Sequence, residues 1–250
     1  MSSVVVEQAL SVLELRQYTL HPGRRDELIA LFEREFVEPQ EATGMRLIAT
    51  FRDLDDPARF VWLRGFADMP ARADALAAFY GGPVWKRHRD AANATMVDTD
   101  DVRLLRPLGG DRGLRAALSP HAAIGAAPRP GGLFTITVCP LREPPTEALA
   151  RVFDRCVHPW WVGVGGDLLA CWGTETAANN FPRLPVREGE PVIAWLTRFD
   201  DEAAQRRHGA LLQSSGCLER PEWREFLSGA PTQLRLAPTP RSALRRRHTS

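Results

Sequence analysis

The sequence predicts an α+β fold in which two tandem βαββαβ units pack their antiparallel sheets face to face as a barrel, with the helices outside. Three observations support this prediction. The order strand–helix–strand–strand–helix–strand occurs twice along the 250 residues. Short motifs recur in the two halves in the same order. A segment rich in Gly, Ala and Pro, residues 108–132, separates the halves and is typical of a linker.

The first unit, residues 1–107, shows the two hydrophobic periods that distinguish strands from helices. Alternating apolar residues predict strands, and apolar residues at three- and four-residue spacing predict helices. His-Pro-Gly at 21–23 ends the first strand, because proline cannot donate to a strand ladder. The predicted elements are strand 13–20, helix 24–37, strand 45–53, strand 59–66, helix 70–80, helix 83–95 and strand 101–106.

The second unit, residues 133–238, repeats this order with a longer turn between its two central strands. "FVWLRGF" (60–66) matches "IAWLTRF" (193–199), and "GPVWKRH" (82–88) matches "RPEWREF" (220–226). Matches that keep their order along the chain indicate an internal duplication. The predicted elements are strand 133–139, helix 145–157, strand 167–174, strand 191–199, helix 200–214, helix 221–228 and strand 231–236.

Each unit has the order of the split βαβ, ferredoxin-like unit. Its helices cover one face of a four-stranded sheet and leave the other face bare. Two copies in one chain can bury their bare faces on each other, because an apolar sheet face must pack on another layer. We therefore expect either a monomer with a fused barrel or a homodimer of such barrels.

Composition excludes several classes of function. The chain is 44% hydrophobic and 25% charged, with a formal net charge of +1, so we expect no nucleic-acid partner. No apolar run reaches the roughly 20 residues of a membrane helix, so we expect no membrane partner. The first residues lack a signal-peptide pattern, which favours a cytoplasmic protein. Residues 239–250 are basic and predict a disordered tail.

Four stretches of the first unit carry a resemblance to a protein family. They are "ELRQYTLHPGR" (14–24), "FVWLRGFADMPAR" (60–72), "PVWKRH" (83–88) and "LLRP" (104–107). Together they resemble the NIPSNAP family of the dimeric α/β-barrel superfamily. The second unit resembles a degenerate copy, in which "FTITV" (134–138) replaces "ELRQY" (14–18).

The resemblance implies the fold and a small-molecule pocket between the sheets. The superfamily includes cofactor-free monooxygenases, haem-degrading and haem-dependent enzymes, polyketide cyclases and lactone isomerases. Because one fold hosts many reactions, the resemblance does not select one of them.

Strand alternation suggests which side chains line the barrel. Leu13 and Leu15 suit the helix-facing side, which would direct Glu14, Arg16 and Tyr18 into the barrel. The same argument directs further residues inward as candidate substrate contacts, with the orientation of Trp172 left open between two faces. The inward set is Trp62 and Arg64 in the first unit and Phe134, Ile136 and Trp195 in the second.

The charged side chains of this predicted interior have three interpretations. Glu14 could pair with Arg16 or Arg64 as a structural ion network, because a buried charge needs a partner. The arginines could instead bind a carboxylate, phenolate or enolate of a small ligand. In the third interpretation, these residues face solvent.

Two histidines and a tryptophan complete the candidate site residues. His158 and Trp161 follow the first helix of the second unit, and His21 lies at the end of the first strand. A histidine is the commonest proton carrier near neutral pH, although His158 could equally cap a helix. No pair of histidines has metal-ligand spacing, so we expect no metal.

We therefore expect an enzyme that catalyses cofactor-free cyclisation, isomerisation or oxygenation of an aromatic or polyketide-like molecule. Arg16 and Arg64 would stabilise a developing oxyanion and Tyr18 would donate a hydrogen bond. Glu14 would position Arg16, and a histidine would move a proton. One alternative is a non-catalytic carrier or protein-interaction module with a filled barrel. Another is a haem-binding protein with His158 or His21 as ligand.

Overall fold

The computed structural model describes residues 10–110, 113–114, 118–127, 132–163 and 166–244. The described residues form the eight predicted strands, the six predicted α-helices and two further short helices, Val37–Glu41 and His158–Gly163. In the first unit they are β1 (Val12–Leu20), α1 (Arg25–Glu35), α2 (Val37–Glu41), β2 (Arg46–Asp53), β3 (Arg59–Phe66), α3 (Met69–Gly81), α4 (Pro83–Asn93) and β4 (Met96–Pro107). In the second they are β5 (Leu133–Pro140), α5 (Glu147–Cys156), α6 (His158–Gly163), β6 (Asp167–Thr174), β7 (Val192–Phe199), α7 (Glu202–Ser215), α8 (Pro221–Arg224) and β8 (Thr232–Pro238).

The strands close into a single antiparallel barrel with the order β1-β3-β2-β8-β5-β7-β6-β4. Each unit contributes a sheet of the ferredoxin-like order. The β2–β8 and β4–β6 pairs join the two sheets. The predicted fold is therefore confirmed. Because one chain joins both pairs of sheet edges, the barrel closes without a second copy.

The barrel interior is filled by apolar side chains. One buried cluster takes residues from all eight strands and none from an α-helix, which identifies it as the interior. Leu13 and Leu15 of β1 belong to it, and so do Phe134 and Ile136 of β5. The prediction that Leu13 and Leu15 face the helices is wrong. Their apolar side chains fill the space that two facing sheets keep dry.

The helices form one outer layer on each unit. In the first unit, the opposite faces of β1 and β3 pack against α1 and α3. In the second unit, β5, β6 and β7 pack in the same way against α5, α6 and α7. Asp68 and Asp201 cap the equivalent helices α3 and α7 by accepting a hydrogen bond from a backbone N–H three residues on. The shared cap fixes equivalent positions in the two units.

Residues on either side of the second unit close against the first. Leu114 and Leu118 of the predicted linker pack on the barrel core. Thr239 to Leu244 are also packed: Thr239 donates a hydrogen bond to Glu33 of α1, and Leu244 is fully buried. A disordered tail from residue 239 is therefore not what the structure shows. Residues 245–250 lie outside the described residues.

His121 joins the linker to the first unit and to the C-terminal segment. Its Nδ1 lies 2.6 Å from the carbonyl oxygen of Arg241, and its Nε2 lies 3.1 Å from Oε1 of Glu41. Both partners accept hydrogen bonds, so both ring nitrogens must donate and the ring is an imidazolium. Burial alone would lower the pKa of His121, but the bonds to Glu41 and to the carbonyl raise it.

This geometry predicts a pH-dependent contribution to stability. The pKa of His121 is higher in the folded state than in the unfolded chain, so its stabilisation is complete below about pH 6.5. It is lost as the pH rises through the folded-state pKa. The destabilisation caused by His121→Gln, measured by urea unfolding, should therefore shrink as the pH rises. His21→Gln, in the exposed turn after β1, is the matched control. If the loss of unfolding free energy caused by His121→Gln did not change with pH, the prediction would be wrong.

Candidate functional site

The charged residues of β1 and β3 lie between the first unit's sheet and its helices. Glu14, Arg16 and Tyr18 alternate along β1 and so share one face. Across the strand pair, Glu14 lies opposite Arg64, and Arg16 lies opposite Trp62. The ladder thus places two guanidinium groups next to one carboxylate.

One carboxylate accepts hydrogen bonds from three arginines. The Nη1 of Arg16 and the Nε of Arg64 each lie 2.7 Å from Oε2 of Glu14. The Nε of Arg72, from helix α3, lies 2.7 Å from Oε1. All four side chains are at most 1% exposed. We call these four residues the Glu14 cluster.

The Glu14 cluster carries an excess of two positive charges. Burial alone would raise the pKa of Glu14, but the charges of Arg64, Arg16 and Arg72 lower it far below its usual range. Glu14 is therefore ionised, and arginine stays protonated at neutral pH. Among the described residues, no second carboxylate pairs with these arginines. A buried excess of charge is unfavourable unless a counter-charge is supplied.

The other partners of the three arginines are neutral. Arg64 donates from Nη1 to the amide oxygen of Gln40, at 3.0 Å, and Arg16 donates from Nε to Oη of Tyr18, also at 3.0 Å. Several buried donors of the site lack an acceptor among the described residues. They are Nη2 of Arg72, Nε1 of Trp62 and Nη2 of Arg64, the last of which lies 2.7 Å from Oε2 of Glu14 as an ion pair without hydrogen-bond geometry. The site therefore offers donors and positive charge, and lacks acceptors.

Aromatic rings surround the Glu14 cluster. The guanidinium carbon of Arg64 lies 5.0 Å from the ring centre of Trp62 and 5.9 Å from that of Tyr80. The guanidinium carbon of Arg16 lies 5.4 Å from the rings of both Tyr18 and Trp62. Such cation–π contacts offset part of the excess charge. Burial raises the pKa of Tyr18, which keeps its phenol protonated as a donor.

The comparisons with known proteins identify the first unit. The NIPSNAP family model matches residues 13–109. Over these residues the first unit is similar to the NIPSNAP family. None of the curated proteins matches the chain.

Solved structures match the whole barrel. A proposed monooxygenase from Lactobacillus acidophilus, 9% identical, gives a TM-score of 0.52 over 92% of this chain and 94% of its own. An anthrone oxidase-like protein, 15% identical, gives 0.52 over 93% and 92%. A NIPSNAP-like domain protein from Burkholderia xenovorans, 29% identical, gives 0.36 over 39% and 84%. The first two show that the two-unit fold occurs elsewhere over the whole length.

The structure corrects the predicted orientation in the NIPSNAP unit. Glu14, Arg16, Tyr18, Trp62 and Arg64 point toward the helices, and the prediction that they line the barrel is wrong. Among the described residues, the interior cluster is apolar and comes from the strands together with Leu244 of the C-terminal segment. The helical side provides the extra polar partners that these charges need.

The apolar wall of the predicted pocket is divided between two faces. Phe134, Ile136 and Trp172 lie in the barrel interior, which confirms the predicted orientation of the first two and settles the third. Trp195 does not lie there. It faces the helices of the second unit, 5.0 Å from the ring of Trp161. The predicted polar and apolar walls therefore lie on opposite sides of the sheets and form no common pocket.

The predicted proton carriers lie away from the Glu14 cluster. His21 is exposed in the turn after β1. His158 begins α6 in the second unit, 6.5 Å from the ring of Phe153. Phe153 belongs to the apolar cluster on the helix side of the second unit, which places His158 on that side of the sheet. No helix among the described residues is long and apolar enough to cross a bilayer.

The sequence argument missed Arg72. This residue lies on the buried face of α3, four positions after the cap Asp68. An arginine on an otherwise apolar helix face was the available signal, because such a residue needs a buried partner. The buried residues of α3 are Arg72, Ala75, Leu76, Phe79 and Tyr80.

The second unit keeps the same positions without charge. Thr135 lies opposite Thr197, as Glu14 lies opposite Arg64 in the NIPSNAP unit. Gln205, four residues after the cap of α7, replaces the third arginine and donates to Oγ1 of Thr135 at 2.9 Å. The amide oxygen of Gln205 accepts from Nε of Arg235, whose charge is balanced by Asp55 and Glu202. Helix–sheet packing in this fold therefore does not require the charged residues.

The geometry predicts a severe effect of removing the single carboxylate. Glu14→Gln would leave three buried guanidinium groups with no counter-charge, so we expect a loss of about 3–5 kcal/mol in the free energy of unfolding. Glu27→Gln is the matched control, because Glu27 also pairs with an arginine but is exposed. Its effect should stay below about 1 kcal/mol. Equal effects in urea unfolding would contradict the prediction.

Glu14 should also control the loss of stability in acid. Its pKa is lower in the folded state than in the unfolded chain, so its stabilisation is present above about pH 4. It is lost as the pH falls through the folded-state pKa. Measured between about pH 6 and pH 3, the wild-type protein should lose stability more steeply than Glu14→Gln. Parallel curves would show that Glu14 is not the titrating group.

Proposed function

We propose that the protein is an enzyme that binds a small aromatic molecule as its anion at the Glu14 cluster and oxidises it with molecular oxygen, without a cofactor. The observation that carries this proposal is the buried excess of two positive charges, whose further partners among the described residues are neutral. An anionic ligand would supply the missing counter-charge.

The surroundings favour an enolate or phenolate as that anion. In a site with an effective dielectric constant of about 20, two unit charges 4 Å apart attract by about 4 kcal/mol. Such an attraction would lower the pKa of a bound hydroxyl group by about 3 units. The rings of Tyr18, Trp62 and Tyr80 would contact an aromatic ligand, and the Tyr18 hydroxyl would donate to its oxygen.

The reaction consistent with this site is oxidation of an activated methylene group. The substrate loses a proton to solvent and binds as an enolate, which transfers an electron to oxygen. The resulting radicals form a carbon–oxygen bond, the peroxide anion takes up a proton from solvent, and loss of water from the hydroperoxide leaves a ketone. One CH₂ and one O₂ thus give one C=O and one H₂O. Two solved structures match the whole barrel, a proposed monooxygenase and an anthrone oxidase-like protein. Their names favour oxidation over isomerisation.

The residues take distinct roles in this proposal. Arg16 and Arg64 stabilise the enolate oxygen by preorganised charge. Glu14 is a positioning residue, because both its oxygens are occupied by guanidinium groups and its low pKa makes it a poor base. Tyr18 donates a hydrogen bond. His21 and His158 receive no step, because the structure does not bring them to the cluster.

The test uses dithranol, a tricyclic ketone with one activated methylene group, and an oxygen electrode. We expect the wild-type protein to consume one O₂ per quinone formed. Arg16→Met should lower kcat/KM by about 100-fold, as expected for the loss of an oxyanion-stabilising donor. Arg89→Met, which removes an exposed arginine paired with Asp90, should leave the rate unchanged. Circular dichroism would confirm that both variants are folded.

A second measurement separates binding from turnover. We expect 4-nitrophenol to bind as its yellow phenolate at a pH where it is largely neutral in solution. Binding without oxygen uptake from dithranol would overturn the enzymatic proposal and indicate a carrier. No binding and no acceleration would overturn the anion site altogether.

A further inference from the structure

We propose that Arg72 is the arginine that contacts the oxyanion of the ligand, and that a loop of the second unit covers it as a lid. The lid is the loop tip, Asn179–Leu184, of the β6–β7 connection. Its two asparagines occupy the position that the ligand's oxyanion takes. This inference rests on the anion site proposed above and names its entrance.

Of the three arginines, Arg72 has the hydrogen-bond partners that a ligand could displace most easily. Arg64 is fixed by Glu14 through Nε and Nη2 and by Gln40 through Nη1. Arg16 is held by Glu14 and Tyr18. Arg72 binds Glu14 through Nε alone.

The outer edge of Arg72 meets only neutral acceptors. Its Nη1 donates to Oδ1 of Asn179 at 3.1 Å and to Oδ1 of Asn180 at 2.7 Å. Its Nη2 has no hydrogen-bond partner within the described ranges. A carboxylate, phenolate or enolate oxygen would form a stronger, charge-assisted bond than an amide oxygen does. An oxyanion can therefore displace the asparagines from Arg72.

A single layer of side chains, formed by Asn179 and Asn180, separates this edge of Arg72 from solvent. Arg72 is fully buried, whereas Asn180, which contacts it, is exposed and Asn179 is half-buried. Movement of the loop tip would therefore open Arg72, and the Glu14 cluster behind it, to solvent.

The loop is attached firmly at its base. Glu175 donates its backbone N–H to the carbonyl of Leu104 at 2.9 Å, and Arg187 donates to that of Val102 at 2.8 Å. An ion pair of 2.7 Å between Arg187 and Asp101 adds to this attachment. Both ends of the loop are thus tied to strand β4.

The tip is held together internally, and its Phe181 and Leu184 pack against the apolar helix-side cluster of the first unit. Asn179 donates from Nδ2 to the carbonyl of Leu184 at 2.9 Å and accepts from the N–H of Phe181 at 3.1 Å. Beyond the bonds to Arg72, Asn180 donates to the carbonyl of Met69, and the ring of Phe181 lies 6.1 Å from that of Tyr80. A tip with this pattern can move as one body on a fixed base.

The length of this connection distinguishes the two units. Residues 54–58 join β2 to β3, whereas residues 175–191 join β6 to β7. Long connections in a compact domain are often functional. The second unit lacks the charged residues of the Glu14 cluster but contains the loop that covers them. We infer that it contributes the entrance to the first unit's site.

Substitutions at Asn180 with opposite charge effects test this inference. The measurement is the equilibrium binding of 4-nitrophenolate to the full chain. Asn180→Ala removes one competing acceptor and should tighten binding several-fold. Asn180→Asp places a competing carboxylate on Arg72 and should weaken binding about tenfold. Asn93→Asp, at the end of α4, adds the same charge elsewhere and should leave binding unchanged.

Arg72→Met completes the test and should weaken binding by at least about tenfold. If the loop were only a structural clasp, Asn180→Ala and Asn180→Asp would change binding equally or not at all, which would overturn the inference. If Arg16→Met abolished binding while the variants at Arg72 and Asn180 did not alter it, the proposed function would stand without the lid. Absence of binding to the wild-type protein would overturn both.

Discussion

The apolar interior of this barrel offers no partner to the charges of the Glu14 cluster, and this constraint determines on which side of the sheet that cluster forms. The interior is bounded by strands whose backbone groups already pair with one another, so it offers no partner to a charge. It is filled with Leu, Ile, Val, Phe and Trp side chains. Glu14, Arg16 and Arg64 therefore face the helices, which supply Arg72 and Gln40 as neighbours.

The charge balance of the Glu14 cluster distinguishes it from an ordinary buried ion pair. A structural network normally matches its charges, because unpaired buried charge is costly. Here one carboxylate serves three guanidinium groups, and the remaining acceptors are amides and a phenol. The second unit shows that the fold tolerates a neutral solution at these positions, with Thr135 bound to Gln205. The charges therefore call for a role beyond packing.

The sequence predicts the fold well because its signals are local and occur twice. Alternation, turn residues and the repeated Trp-Leu pairs define each strand within a few residues. Orientation is harder, since alternation states that Glu14 and Leu15 face opposite sides but not which side is which. The expectation that Leu13 and Leu15 face the helices was wrong because both sides of the sheet are apolar layers, and the barrel interior is the one that takes these leucines. Arg72 and Asn180 were missed because they lie far from Glu14 along the chain.

Duplication explains why the two units diverge in complementary ways. Once one unit carries the charged cluster, its copy is free to lose it, because the barrel requires only a second apolar sheet face. The copy is also placed to lie over its neighbour, since β4 of the first unit pairs with β6 of the second. The loop that follows β6 therefore starts beside the first unit's edge and reaches α3, where Asn179 and Asn180 meet Arg72. The fusion of the two units thus places a loop of one half of the barrel over the Glu14 cluster of the other.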